Sequence, residues 1–376
     1  MSEAEQKILV VCGTRPEAIK MAPLVVELRK RKQLEVKLCI TGQHKEMLDQ
    51  VLALFELIPD FDLKIMRQGQ DLTDITTSVL TGLREVFDGY RPDKVLVHGD
   101  TTTTLSASLA AFYAGIEVGH VEAGLRTGNR HSPWPEEVNR QMTSVLAERH
   151  YAPTQHARLN LEAENVAADK ILVTGNTVID ALLSIVKKLD EGQAGAASVA
   201  QPFGFLDPGK RLILVTGHRR ENFGNRFENI CIALAKLARR GDVQIVYPVH
   251  LNPRVREPVN RHLADLDNVF LLEPIDYLPF VYLMNKSYLI ISDSGGIQEE
   301  APALGKPVLL MRDTTERPEA VEAGTVRLVG TDPEKIIDAA VLLLEDEEEY
   351  RKMNVATNPY GTGHSCHMIA EDLCRA

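Results

Sequence analysis

VVCGTRPEAIKMAPLVVELRK, Val10 to Lys30, changes its period halfway along. Val10, Val11 and Cys12 end an apolar run, KILVVCG, of the length a buried strand uses; from Arg15 the apolar residues return every three or four positions, as on one face of a helix. A strand feeding a helix through one short joint is the first half of a βαβ unit, and that unit commits a chain to a parallel sheet covered by helices. The joint itself crowds Arg15, Pro16, Glu17 and Lys20 together.

The same alternation recurs outward from this stretch. VKLCITG, DKVLVHGD and EVGHVEAG are each followed by a helical period, and the pattern restarts at RLILVTGH (211–218) and runs through VQIVYPVH, NVFLLEP, YLIISDSGG and KPVLLMR. This predicts an α/β protein with two parallel sheets of similar build. A length of 376 residues, 44% of them hydrophobic, supplies core enough for two domains. EGQAGAASVAQPFGFLDPGK (191–210) interrupts the alternation, which puts the hinge there or slightly earlier, near Gly175. Ligands of open α/β sheets bind beyond the carboxyl ends of the strands, and two such domains facing each other form a central cleft, so the strand-end residues are the ones to question.

Composition narrows the classes of function. A net charge of -11, from 53 acidic and 42 basic residues, excludes bulk attraction to nucleic acid or an anionic membrane, so any anion must be caught locally. Cys12, Cys39, Cys231, Cys366 and Cys374 form no CxxC pair and read as reduced thiols. MSEAEQKILV lacks the charged and apolar regions of a signal peptide, and no apolar run reaches membrane-spanning length, so the expected location is the cytoplasm. No GxGxxG follows a strand and no GxxxxGK[ST] occurs, so no dinucleotide cofactor is expected. His364, Cys366 and His367 lack a carboxylate or second thiol at ligand spacing, and no metal is expected.

At the first strand end, Arg15 and Lys20 flank a helix start whose free N–H groups already favour an anion, and a phosphate fits there. Asp100, before TTTT, reads by itself as a helix cap. Glu122 ends the next strand, and Glu136 and Glu137 occupy a first helical turn after Pro135, where each alone complements the dipole. Together they are three acidic loci beyond neighbouring strand ends, whose mutual repulsion would raise their pKa values and suit proton transfer. In the second half, His218 stands at a strand end before Arg219 and Arg220, placed to shuttle a proton or meet a leaving phosphate. Ser294, Gly295 and Gly296 would let backbone N–H groups approach a diphosphate, with Glu300 one helical turn on, in reach of a ribose. Arg312 and Arg317 lie in another strand-to-helix joint, again able to meet an anion.

GTRPEAIKMAPL, TGQHKEMLDQVL, VHGDTTTTLSASLAAFY, HVEAGLRTG, PWPEEVNRQ, TGHRRENFG, DSGGIQEEAPALGKPVL and MRDTTERPEAVEAGT together resemble the non-hydrolysing UDP-N-acetylglucosamine 2-epimerases, with all eight motifs in family order from about Lys7 into the tail. The resemblance implies a GT-B fold of two Rossmann-like domains: 1–174 joined by 362–376, whose helix crosses back, and 175–361 as the UDP-binding domain. It implies reversible interconversion of UDP-N-acetylglucosamine and UDP-N-acetylmannosamine without a redox cofactor, through loss and return of UDP, and a product used in surface polysaccharide. It further implies a homodimer.

By matching position, Arg15, Lys20, His218 and Arg317 resemble the family's nucleotide-sugar contacts, Ser294, Gly295 and Gly296 the diphosphate site, Glu300 the ribose contact and Phe280 the residue near uracil. Asp100, Glu122 and Glu136 match acidic positions of proton transfer, with the face of C2 each serves left open. Gln43, His44 and Glu136 match a second, activating UDP-N-acetylglucosamine pocket, from which Glu46 and Gly69 depart, so weak activation at most is expected. Ile275 replaces a polar residue of some members. Three other functions fit parts of the pattern: a hydrolysing epimerase; a GT-B glycosyltransferase, to which the convergent acids would be superfluous; and a nucleotide-sugar sensor, which would tolerate losing them.

Overall fold

The computed structural model describes residues 5–42, 45–67, 69–192 and 196–375, without the side chains of 45–47, 196 and 197. Gln43 and His44 lie outside the described residues. The chain divides into two compact units, Met1–Ala181 with Tyr360–Ala376, and Leu182–Pro359. The division therefore falls inside the helix Thr177–Asp190, just after Gly175 and well before the Gly/Ala/Pro-rich stretch.

The first unit holds seven parallel strands: β1 Gln6–Cys12, β2 Leu34–Ile40, β3 Phe61–Asp62, β4 Lys94–His98, β5 Glu117–Val121, β6 Arg149–Ala152 and β7 Ile171–Val173. They lie in the order β3-β2-β1-β4-β5-β6-β7. The second holds six: β8 Arg211–Thr216, β9 Val243–Pro248, β10 Val269–Leu272, β11 Leu289–Ser292, β12 Val308–Leu310 and β13 Val326–Leu328, ordered β10-β9-β8-β11-β12-β13. Both sheets have the doubly wound Rossmann arrangement, and both reverse direction once, between β1 and β4 and between β8 and β11. The central strands are buried on both faces, which is why they read as unbroken apolar runs.

The registers Leu9↔Val95 and Leu214↔Ile290 bring the carboxyl ends of the strands flanking each reversal level with one another. Beyond those ends the chain must turn at once into a helix, and the loops there collect the polar residues. Cys12, Cys39, Cys231 and Cys366 are buried thiols, and burial pushes Cys39 up to about 12.

The tail returns to the first unit, where the helix Ser365–Arg375 packs on the helix Arg15–Leu28 and buries Cys366, Ile369, Ala370 and Leu373. Its Asp372 carboxylate takes bonds from Arg149 Nε at 2.8 Å and Tyr151 Oη at 3.0 Å, and Asp180 Oδ1 accepts the Cys366 N–H at 2.9 Å. His367 lies against Glu27 and Arg31. Among the described residues no group of three His, Cys, Asp or Glu side chains is spaced to hold a metal, and no helix is long and apolar enough to cross a membrane.

Candidate active site

In the first unit the joint after β1 is built around Glu17, which is buried although charged. Thr14 caps the helix Arg15–Leu28, and Glu17 closes the capping box by accepting from Gly13 N at 3.0 Å and Thr14 N at 2.7 Å. Its other oxygen accepts from Thr101 Oγ1 at 2.6 Å and Thr104 Oγ1 at 3.0 Å, both beyond β4. One carboxylate thus ties the β1 end to the β4 end across the reversal of the sheet. Gly13 lies between Thr41 and Thr103, and a Cβ there would sit 2.4 Å from Thr103 Oγ1.

The cap of the helix Thr102–Tyr113 is Thr101, whose hydroxyl accepts the Thr104 N–H at 3.1 Å. Asp100 is therefore not the cap its position suggests. One residue too early to reach the first turn, its carboxylate turns to Arg140 at 2.9 Å, while its carbonyl accepts from Asn139 Nδ2 at 3.0 Å. These contacts dock the helix Glu136–Leu146, with Glu136 at its first position, onto the β4 end. Glu137 serves the loop, accepting from Thr127 N and Gly128 N at 3.1 Å each.

Glu122 follows β5 with φ 63°, in the left-handed region a glutamate seldom occupies. Its Oε2 pairs with Lys20, accepts from Asn176 Nδ2 at 2.7 Å and lies 3.6 Å from His98 Nε2. Burial alone would raise its pKa, but Lys20 and His98 outweigh burial and hold the carboxyl well below its usual range. Asp100 is shifted the other way: burial raises it, Arg140 opposes, and the charges of Glu122 and Glu136 add to the rise. Asp100 and Glu122 line one cavity of about 510 Å³, with Thr14, Arg15, Pro16, Glu17, Lys20, His98, Gly99 and Thr101 on its other walls. Arg15 borders it without an ion pair among the described residues, whereas Lys20, expected beside an anion, stands on Glu122.

In the second unit Asp293, fully buried after β11, accepts from His218 N at 3.0 Å, Arg219 N at 2.9 Å and Asn222 Nδ2 at 3.2 Å. It joins the β8 and β11 ends as Glu17 joins those of β1 and β4. The His218 ring stacks on His250 with centroids 5.6 Å apart and planes 16° apart, and its Nδ1 is 3.8 Å from Asp293. Burial lowers its pKa, Asp293 opposes, and Arg219 and His250 add to the fall, which favours a neutral imidazole. His250 was reachable from the sequence by the strand-end argument that found His218, since it follows β9 in YPVH.

Ser294 precedes the helix Gly295–Ala303 without a side-chain cap, so its hydroxyl satisfies none of the first N–H groups of the helix. Arg317 lies so close over Gly295 that a Cβ would be 2.7 Å from its Nη1, and its Nε donates to Glu299 at 2.6 Å. Arg312 is held by Glu221 and Glu316 at 2.7 and 2.6 Å. Glu300 Oε2 would lie 3.7 Å from a Cβ on Gly296, confirming the return to one helical face, and its Oε1 accepts from Tyr277 Oη at 2.6 Å. Phe280 is half-buried on the helix Tyr277–Lys286.

A family model described as UDP-N-acetylglucosamine 2-epimerase matches residues 26–374. The chain is 61% identical over 368 residues to the UDP-N-acetylglucosamine 2-epimerases of Yersinia pestis and Escherichia coli (strain K12), covering 98% of itself and 98% of each. It resembles the crystal structure of UDP-GlcNAc 2-epimerase from Neisseria meningitidis bound to UDP-GlcNAc with a TM-score of 0.90 at 54% identity, over 99% of this chain and 100% of that one. A glycosyltransferase of kitacinnamycin shares the fold alone, with a TM-score of 0.62 at 14% identity.

Proposed function

The chain belongs to the UDP-N-acetylglucosamine 2-epimerase family, an isomerase family of GT-B fold, and we propose that it inverts C2 of UDP-N-acetylglucosamine to give UDP-N-acetylmannosamine by eliminating UDP and adding it back. The C2 hydrogen has no neighbouring carbonyl, so its direct removal would leave an unstabilised carbanion. In the elimination a carboxylate takes the C2 proton, the C2–H electron pair forms the C1=C2 bond, and the C1–O bond breaks with its pair leaving on UDP. Return of the UDP oxygen to C1, with a proton delivered to the other face of C2, gives the epimer.

The observation that supports this most is the opposite bias of two acids in one cavity: Glu122 is held ionised while Asp100 is pushed toward carrying a proton. Such a split is what removing a proton on one side and supplying one on the other demands. Glu136 joins this pair through its effect on Asp100. Arg15, His218, Arg317 and the N–H groups after Ser294 are assigned to UDP, where each well-placed donor is worth roughly 2.7–4 kcal/mol on the developing charge. Lys20 serves Glu122 and the substrate together, Glu300 the ribose and Phe280 the uracil.

We assign the protein to the cytoplasm and its product to surface polysaccharide. We also propose a homodimer, a state that sedimentation as a monomer would exclude; Phe112 and Tyr113 on one helix, and Met142 and Val145 on the helix packed beside it, are exposed.

The test is proton NMR of the purified protein with UDP-N-acetylglucosamine in deuterated buffer. The expected result is UDP-N-acetylmannosamine, with deuterium at C2 of both sugars and little free UDP. Accumulation of UDP with free sugar would make the enzyme hydrolytic. An unchanged spectrum despite binding would leave a transferase or a sensor.

A further inference from the structure

Asn176 follows β7 and belongs to none of the strand ends that the sequence pointed to as acid, base or phosphate contact. It is buried, and two bonds settle which way its amide faces. Oδ1 accepts the Val178 N–H at 3.1 Å, as a residue opening a helix does, so Nδ2 is turned toward Glu122 and donates to its Oε2 at 2.7 Å. A flipped amide would set oxygen against carboxylate and NH₂ against N–H. The backbone beneath is held as well, because Asn176 N donates to Tyr360 O at 2.7 Å.

Asn176, Lys20 and His98 all gather on Oε2 of Glu122. Among the described residues no protein donor bonds Oε1, the oxygen that lies nearest Gly99. One oxygen is thus anchored and the other is left to the cavity. A left-handed glutamate persists only where its surroundings over-determine it, and the Asn176 bond is one of those determinants.

Resting on the epimerase reading, we propose that Asn176 is a positioning residue for Glu122, holding Oε2 so that Oε1 meets the proton at C2, a role separate from opening its own helix. The other charged or titratable groups facing Glu122 are Lys20 from the helix Arg15–Leu28 and His98 and Asp100 from the β4 end, with Arg140 behind Asp100. Glu17 spends both its oxygens on Gly13, Thr14, Thr101 and Thr104. Asn176 is the neutral donor of this set.

Asn176→Asp separates the two roles. Aspartate opens a helix as well as asparagine does, so a residue that only caps would tolerate it. For a positioning residue the change sets acceptor against acceptor. The expected result is a fall in kcat of about 10- to 100-fold, the worth of one charge-assisted hydrogen bond, with KM little changed. The acid limb of the kcat profile moves to higher pH, because a second carboxylate disfavours the ionised form of Glu122. A carbon-13 titration of the Glu122 carboxyl without substrate should rise in the same direction. If Asn176→Asp fails to fold by circular dichroism, Asn176→Ser keeps a cap without a donor long enough to reach Glu122 and should show the same loss with a smaller shift. Wild-type kcat and an unmoved limb in either folded variant overturn the proposal. Failure of the unmutated protein to epimerise would instead overturn the functional reading, while the titration still reports the Asn176–Glu122 bond.

Discussion

Glu122 is held away from its easy states in both backbone and charge: its φ is 63°, and its carboxyl stays ionised in a buried place because Lys20 and His98 outweigh the cost of burial. Glu122→Gln keeps the shape but cannot accept a proton. Turnover should fall by roughly 10²- to 10⁴-fold, the contribution of a positioned acid or base, with UDP binding by calorimetry nearly intact; unchanged turnover would remove Glu122 from the chemistry. Its place at a strand end was legible in the sequence, as were those of Arg15, Asp100 and His218. What was not legible is what each side chain touches, because the partners come from distant chain. Lys20 reads as a cation for a phosphate, and nothing local shows that it also stands on a carboxylate 102 positions away; the Asn176 donor lies 54 positions from Glu122. Asp100 reads as a cap until the helix is seen to begin at Thr102.

Among the elements, strands set in apolar runs were readable and the others were not. Runs such as KILVVCG and RLILVTGH announce themselves, and so does KPVLLMR although β12 has only three residues, whereas β6 (RHYA) and β13 (VRL) carry charge in a short span and β3 and β7 have two or three residues each, too few to show any period. The joints between strand and helix were half legible. TRPE spells the capping box of Thr14 and Glu17, yet nothing local shows that Glu17 also receives two hydroxyls from beyond β4, 84 and 87 positions on. Glu17→Ala would leave Gly13 N, Thr14 N and the Thr101 hydroxyl without their acceptor, while Thr104 Oγ1 keeps His98 O, and should lower stability by about 2–4 kcal/mol, read as a shift in the urea midpoint. It should also depress activity, because Thr101 and Thr14 line the same cavity as Glu122. A midpoint within experimental scatter of the wild type would mean that packing, not Glu17, holds the two joints together.

Across the whole molecule, two buried histidines tie stability to pH. Burial above all pushes His120, whose Nε2 donates to Gly99 O at 2.7 Å, down to about 3, and His150 down to about 4. Unfolded, each would titrate near about 6.5. Below that value the unfolded chain takes up protons that the folded one refuses, so stability is lost as pH falls, by about 1.4 kcal/mol per unit for each histidine until the folded pKa is reached. Asp100 and Asp180, whose pKa values are raised, oppose this in part. The urea midpoint should therefore decline from neutral pH toward about 5, less steeply in His120→Gln; a flat midpoint would refute the account. The tail has a consequence in time as well. The second unit is one continuous stretch, but Arg149 waits for Asp372, 223 residues later, before its ion pair can form. At ordinary rates of synthesis the ribosome needs on the order of ten seconds or more to cover that distance. During that interval the part of the chain made first stays open along the face the last helix will cover, so the first unit begun is the last to be finished, and damage to the final residues falls on the opening of the message.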